Sequence, residues 1–229
     1  MHKVSIVVPV KDEEVGLQFL INDFENSKIA VDYDIKFIFV IDERTSDDSR
    51  KFAARLSDQI IDQRESHGKG AAIQQAIIHL NEITSRFVIF LDADGSYSFN
   101  DVKQILSSLE RGADVVSGSR FLNCSGRPEG MSLMHNFGNH LLSKISSIRN
   151  RRKISDLCTG LWGFTTEAIK SIEIKSNGFD LEAEIAGLAR KNKLQHVEVP
   201  VDWSQRKGGN SKLRSVRDGA IILLRIIRT

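Results

Sequence analysis

The sequence predicts an α/β protein in which helices flank a mostly parallel sheet. Two observations lead to this fold class. Short runs that are almost wholly apolar occur at residues 4–10, 35–41 and 87–91, and each is followed by apolar residues at the spacing of an amphipathic helix. This alternation is typical of parallel strands joined by helical crossovers. With 229 residues, 41% of them hydrophobic, the chain can form a single domain with a substantial core.

The amino-terminal elements follow in order. After the strand at 4–10, apolar residues recur at helical spacing over 17–24, and after the strand at 35–41 they recur over 52–60, with Phe52, Ala53, Leu56 and Ile60 on one face. We therefore expect a helix after each of these two strands. A further helix over 70–80 then leads to the strand at 87–91.

The second half continues the pattern with shorter elements. We expect a helix over 102–109, a strand over 113–120, a helix over 131–148, a strand from Leu161, a helix over 179–188, a strand over 197–201 and a helix over 216–227. The last of these is apolar with arginines at both ends and too short to span a bilayer. Residues 1–213 are therefore expected to form one domain, and residues 214–229 a basic amphipathic helix.

The strand at 87–91 runs directly into Asp92, Ala93 and Asp94. Ligands of open α/β sheets bind outside the carboxyl ends of the strands, so both carboxylates should face a crevice. Two carboxylates at this spacing can share Mg²⁺ or Mn²⁺, whose other ligands are water and phosphate oxygens. The alternative is a polar turn that closes the strand, and the spacing alone does not decide between them.

Residues 68–70 (GKG) open a helix and could bring backbone N–H groups and Lys69 to a phosphate. Neither the Walker spacing nor the dinucleotide fingerprint is present, since position 73 is Ile rather than Gly. A tight turn without ligand is the competing interpretation.

Two segments combine apolar and basic residues. A stripe of apolar side chains over 134–148 has the spacing of a core helix. The basic residues over 149–153 allow a second interpretation, in which the helix lies on anionic lipid. From Trp203 to the end of the sequence there are seven Lys and Arg residues and one acidic residue, Asp218. Interleaved aromatic residues are lacking there, so we expect no nucleic acid but a phosphate or an anionic membrane as partner.

Several classes of protein are disfavoured. No apolar run reaches the length of a membrane span, and the chain begins with a strand pattern rather than a signal peptide. Cys124 and Cys158 have no zinc-binding spacing and are expected to be ordinary thiols. We therefore expect a cytoplasmic protein.

Seven motifs follow one another along the chain: Ile6-Val7-Val8-Pro9 with Glu13, the acidic loop 42–47, Gly68-Lys69-Gly70, Leu91-Asp92-Ala93-Asp94, Gly118-Ser119-Arg120, residues 156–160, and Arg206 with Gly209, Ser211, Lys212 and Leu213. In this order they resemble the family-2 inverting glycosyltransferases. The branch they resemble most contains the dolichol-phosphate mannosyltransferases and their polyprenyl-phosphate glucosyl and N-acetylglucosaminyl relatives. The resemblance covers nearly the whole chain.

The resemblance implies a GT-A fold, a nucleoside diphosphate sugar donor, Mg²⁺ or Mn²⁺, and a polyprenyl or dolichyl phosphate acceptor at the cytoplasmic face of a membrane. It implies the following residues: Pro9, Lys11, Glu13, Asp42, Lys69, Asp92 and Ala93 for the nucleotide; Asp92 and Asp94 for the metal; Arg206 and Lys212 for the donor phosphates; and Arg120 for the acceptor phosphate. Glu43, Arg44 and Gly95-Ser96 depart from the mannosyl pattern, so the base and the sugar stay open.

The acceptor decides the role of Asp156. A phosphate monoester is already an anion at neutral pH, because its second pKa is about 6, and it needs no strong base. A hydroxyl acceptor would need one, and Asp156 is then the candidate base; with a phosphate acceptor it would orient Arg120. We expect transfer of a hexose or N-acetylhexosamine to a polyprenyl phosphate. The alternatives are a soluble glycosyltransferase that extends a glycan or modifies a small molecule, and a nucleotide-sugar-binding protein without turnover.

Overall fold

A computed structural model describes residues 1–57, 59–80, 84–124, 126–208 and 215–229. The described strands are β1 (His2–Val10), β2 (Tyr33–Asp42), β3 (Gln59–Gln63), β4 (Phe87–Leu91), β5 (Val115–Ser119), β6 (Leu161–Thr165) and β7 (His196–Pro200). The described helices are α1 (Glu14–Ser27), α2 (Ile29–Asp32), α3 (Ser49–Leu56), α4 (Lys69–Leu80), α5 (Phe99–Glu110), α6 (Leu133–Asn150), α7 (Thr166–Ser171), α8 (Leu181–Lys191) and α9 (Ser215–Arg228).

The described strands form one sheet in the order β3-β2-β1-β4-β6-β5-β7. Neighbouring strands are parallel except at β6, which is antiparallel to both β4 and β5. The predicted fold class, a mostly parallel α/β sheet, is therefore confirmed. The reversed direction of β6 was not predicted, because an apolar run of five residues carries no information about its direction.

The sheet is covered on both faces, which explains why its central strands are apolar throughout. In β4, Phe87, Ile89 and Leu91 point into a core formed with α1, α3 and α5, whereas Val88 and Phe90 point into a second core formed with α4, α7, α8 and α9. Helix α5 begins with a capping box in which Ser98 and Asp101 exchange hydrogen bonds. Two core layers therefore fix the position of β4 and of the turn that follows it.

Ile60 was predicted to continue a helix, and this prediction is wrong. Helix α3 ends at Leu56, and Ile60 lies in β3, where it pairs with Phe39 of β2. The Ser57 hydroxyl donates to the carbonyl oxygen of Phe37 at 2.5 Å and accepts from the Gln59 N–H at 2.9 Å. These bonds replace the next helical turn and precede the start of the strand. The regular spacing of apolar residues over 52–60 gave no sign of this change from helix to strand.

The strand order reverses beside β1. The chain leaves β1 towards β2 and β3 on one side and returns to β4 on the other. The register pairs Pro9 with Val40 and Val7 with Phe90, so the carboxyl ends of the three strands meet at one edge. Such a reversal point is where open α/β sheets bind ligands.

Candidate active site

Two cavities open side by side at this edge. The first cavity has a volume of about 380 Å³ and the second about 530 Å³. Of the residues singled out from the sequence, Pro9, Lys11, Glu13, Asp42, Lys69 and Ala93 line the first cavity, Arg120 lines the second, and Asp92, Asp94 and Arg206 line both. Asp156 lies behind Arg120, and Lys212 is outside the described residues. The two cavities thus meet at the two carboxylates that follow β4.

Asp42 occupies the far end of the first cavity, at the carboxyl end of β2. The Arg44 guanidinium donates to it through Nε at 2.8 Å and through Nη2 at 2.6 Å, and Lys11 Nζ lies 3.6 Å from Oδ2. The hydrogen bonds from Arg44 lower the pKa of Asp42 well below its usual range. The side chain is therefore a carboxylate at every physiological pH. Its partner Arg44 is one of the residues that depart from the mannosyl pattern.

Lys69 lies between two carboxylates in the floor of the first cavity. Its Nζ is 2.7 Å from Asp92 Oδ1 and 2.8 Å from Glu182 Oε1. Burial alone would lower the pKa of Lys69, but the two carboxylates outweigh it and raise this pKa. Burial also raises the pKa of Asp92 and of Glu182, and Lys69 opposes that shift in both. The ammonium group thus fixes Asp92 to α8 through Glu182.

Arg206 closes the first cavity from the opposite side. Its Nη2 donates to both oxygens of Glu13, at 2.7 and 2.8 Å, and its Nη1 is 3.8 Å from Asp94 Oδ2. The segment that carries it is held by the Lys207 N–H, which donates to the Asp94 carbonyl oxygen at 3.0 Å. A guanidinium therefore lies beside Asp94.

Asp92 and Asp94 offer oxygen ligands to a divalent cation. Asp94 Oδ1 accepts hydrogen bonds from the backbone N–H and the hydroxyl of Ser96, at 3.0 and 2.5 Å, which leaves Oδ2 facing Arg206. Within the described residues, no three His, Cys, Asp or Glu side chains are grouped as a metal site. Mg²⁺ commonly takes only one or two carboxylates and completes its shell with substrate phosphates and water. The pair therefore fits a cation that binds together with a nucleotide.

Gly160 brings the backbone close to this pair. A Cβ atom built at residue 160 would overlap the Asp92 carboxylate. The Gly160 N–H donates to the Tyr97 hydroxyl at 2.8 Å. The loop 156–160 therefore packs directly behind Asp92, and it links this carboxylate to the wall of the second cavity.

Arg120 lines the second cavity. Its Nε and Nη2 donate to Asp156 Oδ2 and Oδ1 at 2.6 and 2.7 Å, and its backbone N–H donates to Oδ2 at 3.0 Å. Asn139 Nδ2 donates to Oδ1 at 2.9 Å. Asp156 is 0% exposed, and four donors occupy the lone-pair positions that its two oxygens offer. This geometry favours an orienting role for Asp156 over that of a base.

Helix α6 borders the second cavity and is inverted relative to an ordinary surface helix. Its buried residues are polar, namely Asn139, Ser143, Ser146 and Asn150. Its exposed residues include Leu133, Met134, Phe137, Leu141 and Ile148, between 49% and 73% exposed. Of the predicted stripe, only Leu142 and Ile145 pack against the core. The spacing favoured a core helix, whereas most of the stripe faces outward.

Helix α9 extends this apolar surface. Its Ile222 and Ile226 are buried, while Val216, Ile221, Leu224 and Ile227 are exposed, and the helix packs against α6. Arg225 ties it to α8 through Asp180 and Glu184, at 2.7 and 3.0 Å. None of the described helices is long and apolar enough to cross a membrane.

Two residues of the site were not found from the sequence. These residues are Glu182 and Asn139, which lie on α8 and α6. Glu182 lies 113 positions from Lys69 along the chain, and Asn139 lies 17 positions from Asp156. For Asn139 the sequence does contain a signal, because the polar residues of α6 recur on one face of the helix. The apolar stripe on the other face made that signal hard to recognise.

Comparison with known proteins agrees with the sequence motifs. The profile of the family described as Glycosyl transferase family 2 matches residues 5–173. A Haloferax volcanii protein named Glycosyltransferase AglJ is 29% identical over 98% of this chain and 71% of its own length. A Pyrococcus furiosus Dolichol-phosphate mannosyltransferase is 25% identical over 93% of this chain, which spans 59% of that protein.

A solved structure extends the comparison to the fold. Glucosyl-3-phosphoglycerate synthase from Mycobacterium tuberculosis, crystallised with Mn²⁺, uridine diphosphate and phosphoglyceric acid, superposes with a TM-score of 0.70 at 14% identity. The match covers 99% of this chain and 76% of the other. The likeness shows that the described sheet and helices form a GT-A fold.

Proposed function

The chain belongs to glycosyl transferase family 2, and from this membership we propose that it is an inverting enzyme that moves a hexose or N-acetylhexosamine from a nucleoside diphosphate sugar to polyprenyl (dolichyl) phosphate. One observation carries the proposal. The cavity that contains Asp92 and Asp94 adjoins a second cavity that contains Arg120 and opens beside the apolar surface of α6 and α9. A donor, a phosphate and a lipid chain would each have a site next to the others.

The first cavity would hold the nucleotide. Pro9, Lys11, Glu13 and Asp42 would contact the nucleoside, and Lys69 and Ala93 would border its diphosphate. The charged residues at this edge are already paired, as Lys69 with Asp92 and Arg206 with Glu13. Binding would therefore replace existing ion pairs with contacts to the donor, which limits the cost of desolvation because these groups are already buried.

Departure of the nucleotide develops negative charge on the diphosphate as the anomeric C–O bond breaks. Asp92 and Asp94 would hold Mg²⁺ or Mn²⁺, which supplies positive charge at that point. Arg206 lies 3.8 Å from Asp94, where its guanidinium would stabilise the same oxygens. Lys212 would add a second cation to the leaving group.

The acceptor phosphate would bind Arg120 from the second cavity and attack the opposite face of the sugar. Arg120 is held in place by Asp156 and by the carbonyl oxygen of Cys158, 2.7 Å from Nη2. A phosphate oxygen is already an anion at neutral pH, so the step needs no residue to remove a proton. The engaged state of Asp156 is consistent with this chemistry.

The outer faces of α6 and α9 would rest on the membrane that contains the acceptor. The exposed apolar residues are flanked by Arg149, Arg151, Arg152 and Lys153 at the end of α6 and by Arg217 and Arg228 in α9. Apolar side chains bordered by cations are typical of helices at an anionic lipid surface. Contact would be peripheral.

A donor screen tests the proposal. The purified protein is incubated with radiolabelled guanosine and uridine diphosphate sugars, Mn²⁺, and vesicles that contain dolichyl phosphate. We expect one donor to give an organic-extractable product from which mild acid releases the label. Label found only in water-soluble or polysaccharide products would contradict a lipid acceptor and favour the soluble enzyme. Tight donor binding with no turnover on any acceptor would favour a binding protein.

A further inference from the structure

The inward face of α6 carries a line of polar side chains that hold the loop containing Asp156. Asn139, Ser143 and Ser147 are spaced four residues apart, so they lie on one side of the helix. The Ser147 hydroxyl accepts from the Ile154 N–H and the Ser143 hydroxyl from the Leu157 N–H, both at 2.9 Å. The loop is thus bound to the helix by side chains rather than by backbone ladders.

Asn139 completes this line at the end nearest the second cavity. Its Nδ2 donates to Asp156 Oδ1 at 2.9 Å, and its Oδ1 accepts from the Cys158 N–H at 3.0 Å. Exchange of the amide oxygen and nitrogen would set oxygen against a carboxylate and nitrogen against an N–H group, so this orientation is the only one that satisfies both partners. The side chain is buried.

Asn139 and the Nη2 atom of Arg120 form hydrogen bonds to the same two residues, Asp156 and Cys158. Arg120 Nη2 donates to Asp156 Oδ1 and to the Cys158 carbonyl oxygen, at 2.7 Å in each case. We propose that Asn139 is a positioning residue for Arg120: it fixes both acceptors of Nη2 and thereby the direction in which the guanidinium faces the second cavity. This inference rests on the proposed function, in which Arg120 contacts the acceptor phosphate.

The position of Asn139 on α6 gives this role a further consequence. The opposite face of the same helix carries the exposed Phe137 and Leu141. A rigid helix therefore joins the apolar surface to the support of Arg120, and the lipid chain and its phosphate would be aligned by one element.

The experiment compares Asn139→Ala and Asn139→Asp with Asn150→Ala and Asn150→Asp. Asn150 is a matched control because it is a buried amide on the same face, bonded to Ser146 at 3.0 Å, about 16 Å along the helix from Asn139. The acceptor is a short polyprenyl phosphate in solution. Donor dissociation constants and melting temperatures are measured for every variant.

We expect Asn139→Ala to lower kcat/KM for the acceptor about 10- to 100-fold, because a displacement of a reacting group by about 1 Å can reduce the rate by that factor. The donor dissociation constant should be unchanged. Asn139→Asp sets a second carboxylate against Asp156. Two carboxylates in contact share a proton at a raised pKa, so the activity of this variant relative to wild type should increase as the pH falls. The Asn150 variants should stay within about twofold of wild type.

The other ionisable groups near Asp156 are the same in every variant. Burial raises the pKa of Tyr97 and of Cys158 to about 12, and Arg120 stays charged. Glu198, whose pKa burial raises, accepts from the backbone N–H groups of Ser155 and Asp156 and is common to all variants. Division by the wild-type rate removes its contribution.

The outcomes separate the inference from the proposed function. Wild-type enzyme that transfers no sugar to the phosphate overturns both. Active wild-type enzyme with an unchanged kcat/KM in Asn139→Ala, or with equal losses in the Asn139 and Asn150 variants, overturns the positioning role alone. An Asn139→Asp profile parallel to that of wild type does the same.

Discussion

Asp92 and Asp94 are two residues apart but have different surroundings. Asp92 is bonded to Lys69 and backed by Gly160, whereas Asp94 Oδ2 faces Arg206 across 3.8 Å. The Asp92 carboxylate is therefore held by an ammonium group, and the Asp94 carboxylate by the backbone N–H and the hydroxyl of Ser96.

Replacement of Asp94 by Asn should abolish transfer and leave the fold intact, because the amide keeps the shape of the side chain but loses the charge that would hold a cation. We expect a loss of at least about 100-fold in kcat, and nearly as much for Asp92→Asn. Initial rates over a Mn²⁺ titration measure the effect. Asp32→Asn, an exposed carboxylate before β2, is the control. Full activity of Asp94→Asn at limiting metal would remove the pair from the site.

Arg206→Ala should reduce turnover more than it weakens binding of the free nucleoside. The guanidinium would act on charge that develops in the transition state, and loss of such a contact lowers kcat rather than raising a dissociation constant. Steady-state kinetics and nucleoside titration of the same preparation separate the two quantities. An equal effect on both would assign Arg206 to ground-state binding.

The sequence indicated Asp92 and Asp94 through the apolar run before them, and the family resemblance indicated most of the other candidate site residues. Asp42, Asp92 and Arg120 come directly after or at the end of an apolar run, and strand ends meet at one edge of a parallel sheet. Glu182 and Asn139 lie on helices, and only the packing of those helices brings them to the site. No local pattern marks a helical residue as the partner of a lysine 113 residues away.

At the scale of single elements, α6 shows what periodicity cannot decide. Spacing identifies two faces of a helix, one apolar and one polar, but not which of them is buried. Here the polar face is buried because it supplies bonds to the loop 154–158. The apolar face is therefore left outside, which is the arrangement expected of a helix that meets lipid.

Leu141→Glu and Ile148→Glu test that surface. Each change replaces an exposed apolar side chain of α6 by a charge, and we expect binding to anionic vesicles to fall by at least about tenfold, the equivalent of one buried aliphatic side chain. Sedimentation with vesicles measures the binding. Val31→Glu is the control, since Val31 is 71% exposed on α2. Equal losses in all three variants, or none, would argue against a specific lipid face.

Strand β7 contains a buried histidine that should make stability depend on pH. Burial lowers the pKa of His196 from 6.5 to about 3, and its Nε2 is 2.8 Å from the Ser117 hydroxyl. The unfolded chain therefore binds a proton as the pH falls below about 6.5, whereas the folded protein does not until about 3. Stability is lost over that interval as the pH falls.

His196→Gln cannot take up this proton. Its free energy of unfolding, measured with urea at pH 7, 5.5 and 4.5, should decrease less on acidification than that of wild type, although it starts from a lower value because stacking on Trp162 is lost. Parallel pH profiles would show that His196 is not the group responsible.

At the scale of the whole molecule, the sequence predicted the class of the sheet and most of its strands. Apolar runs predict β1, β2 and β4 correctly, because strands buried on both faces are apolar almost without interruption. They fail for β3, whose ends are polar and whose start depends on the Ser57 hydroxyl bonds. They also give no direction for β6, which only its pairing with β4 and β5 defines.

In the proposed reaction the acceptor is a phosphate, which would need Arg120 and no general base. The most direct test compares dolichyl phosphate with dolichol, the same chain with a hydroxyl group, at equal concentration with one donor and Mn²⁺. We expect transfer to the phosphate and none to the alcohol, because the oxygens of Asp156 are occupied by Arg120 and Asn139. Comparable transfer to dolichol would require a base at this site and would contradict the proposed phosphate acceptor.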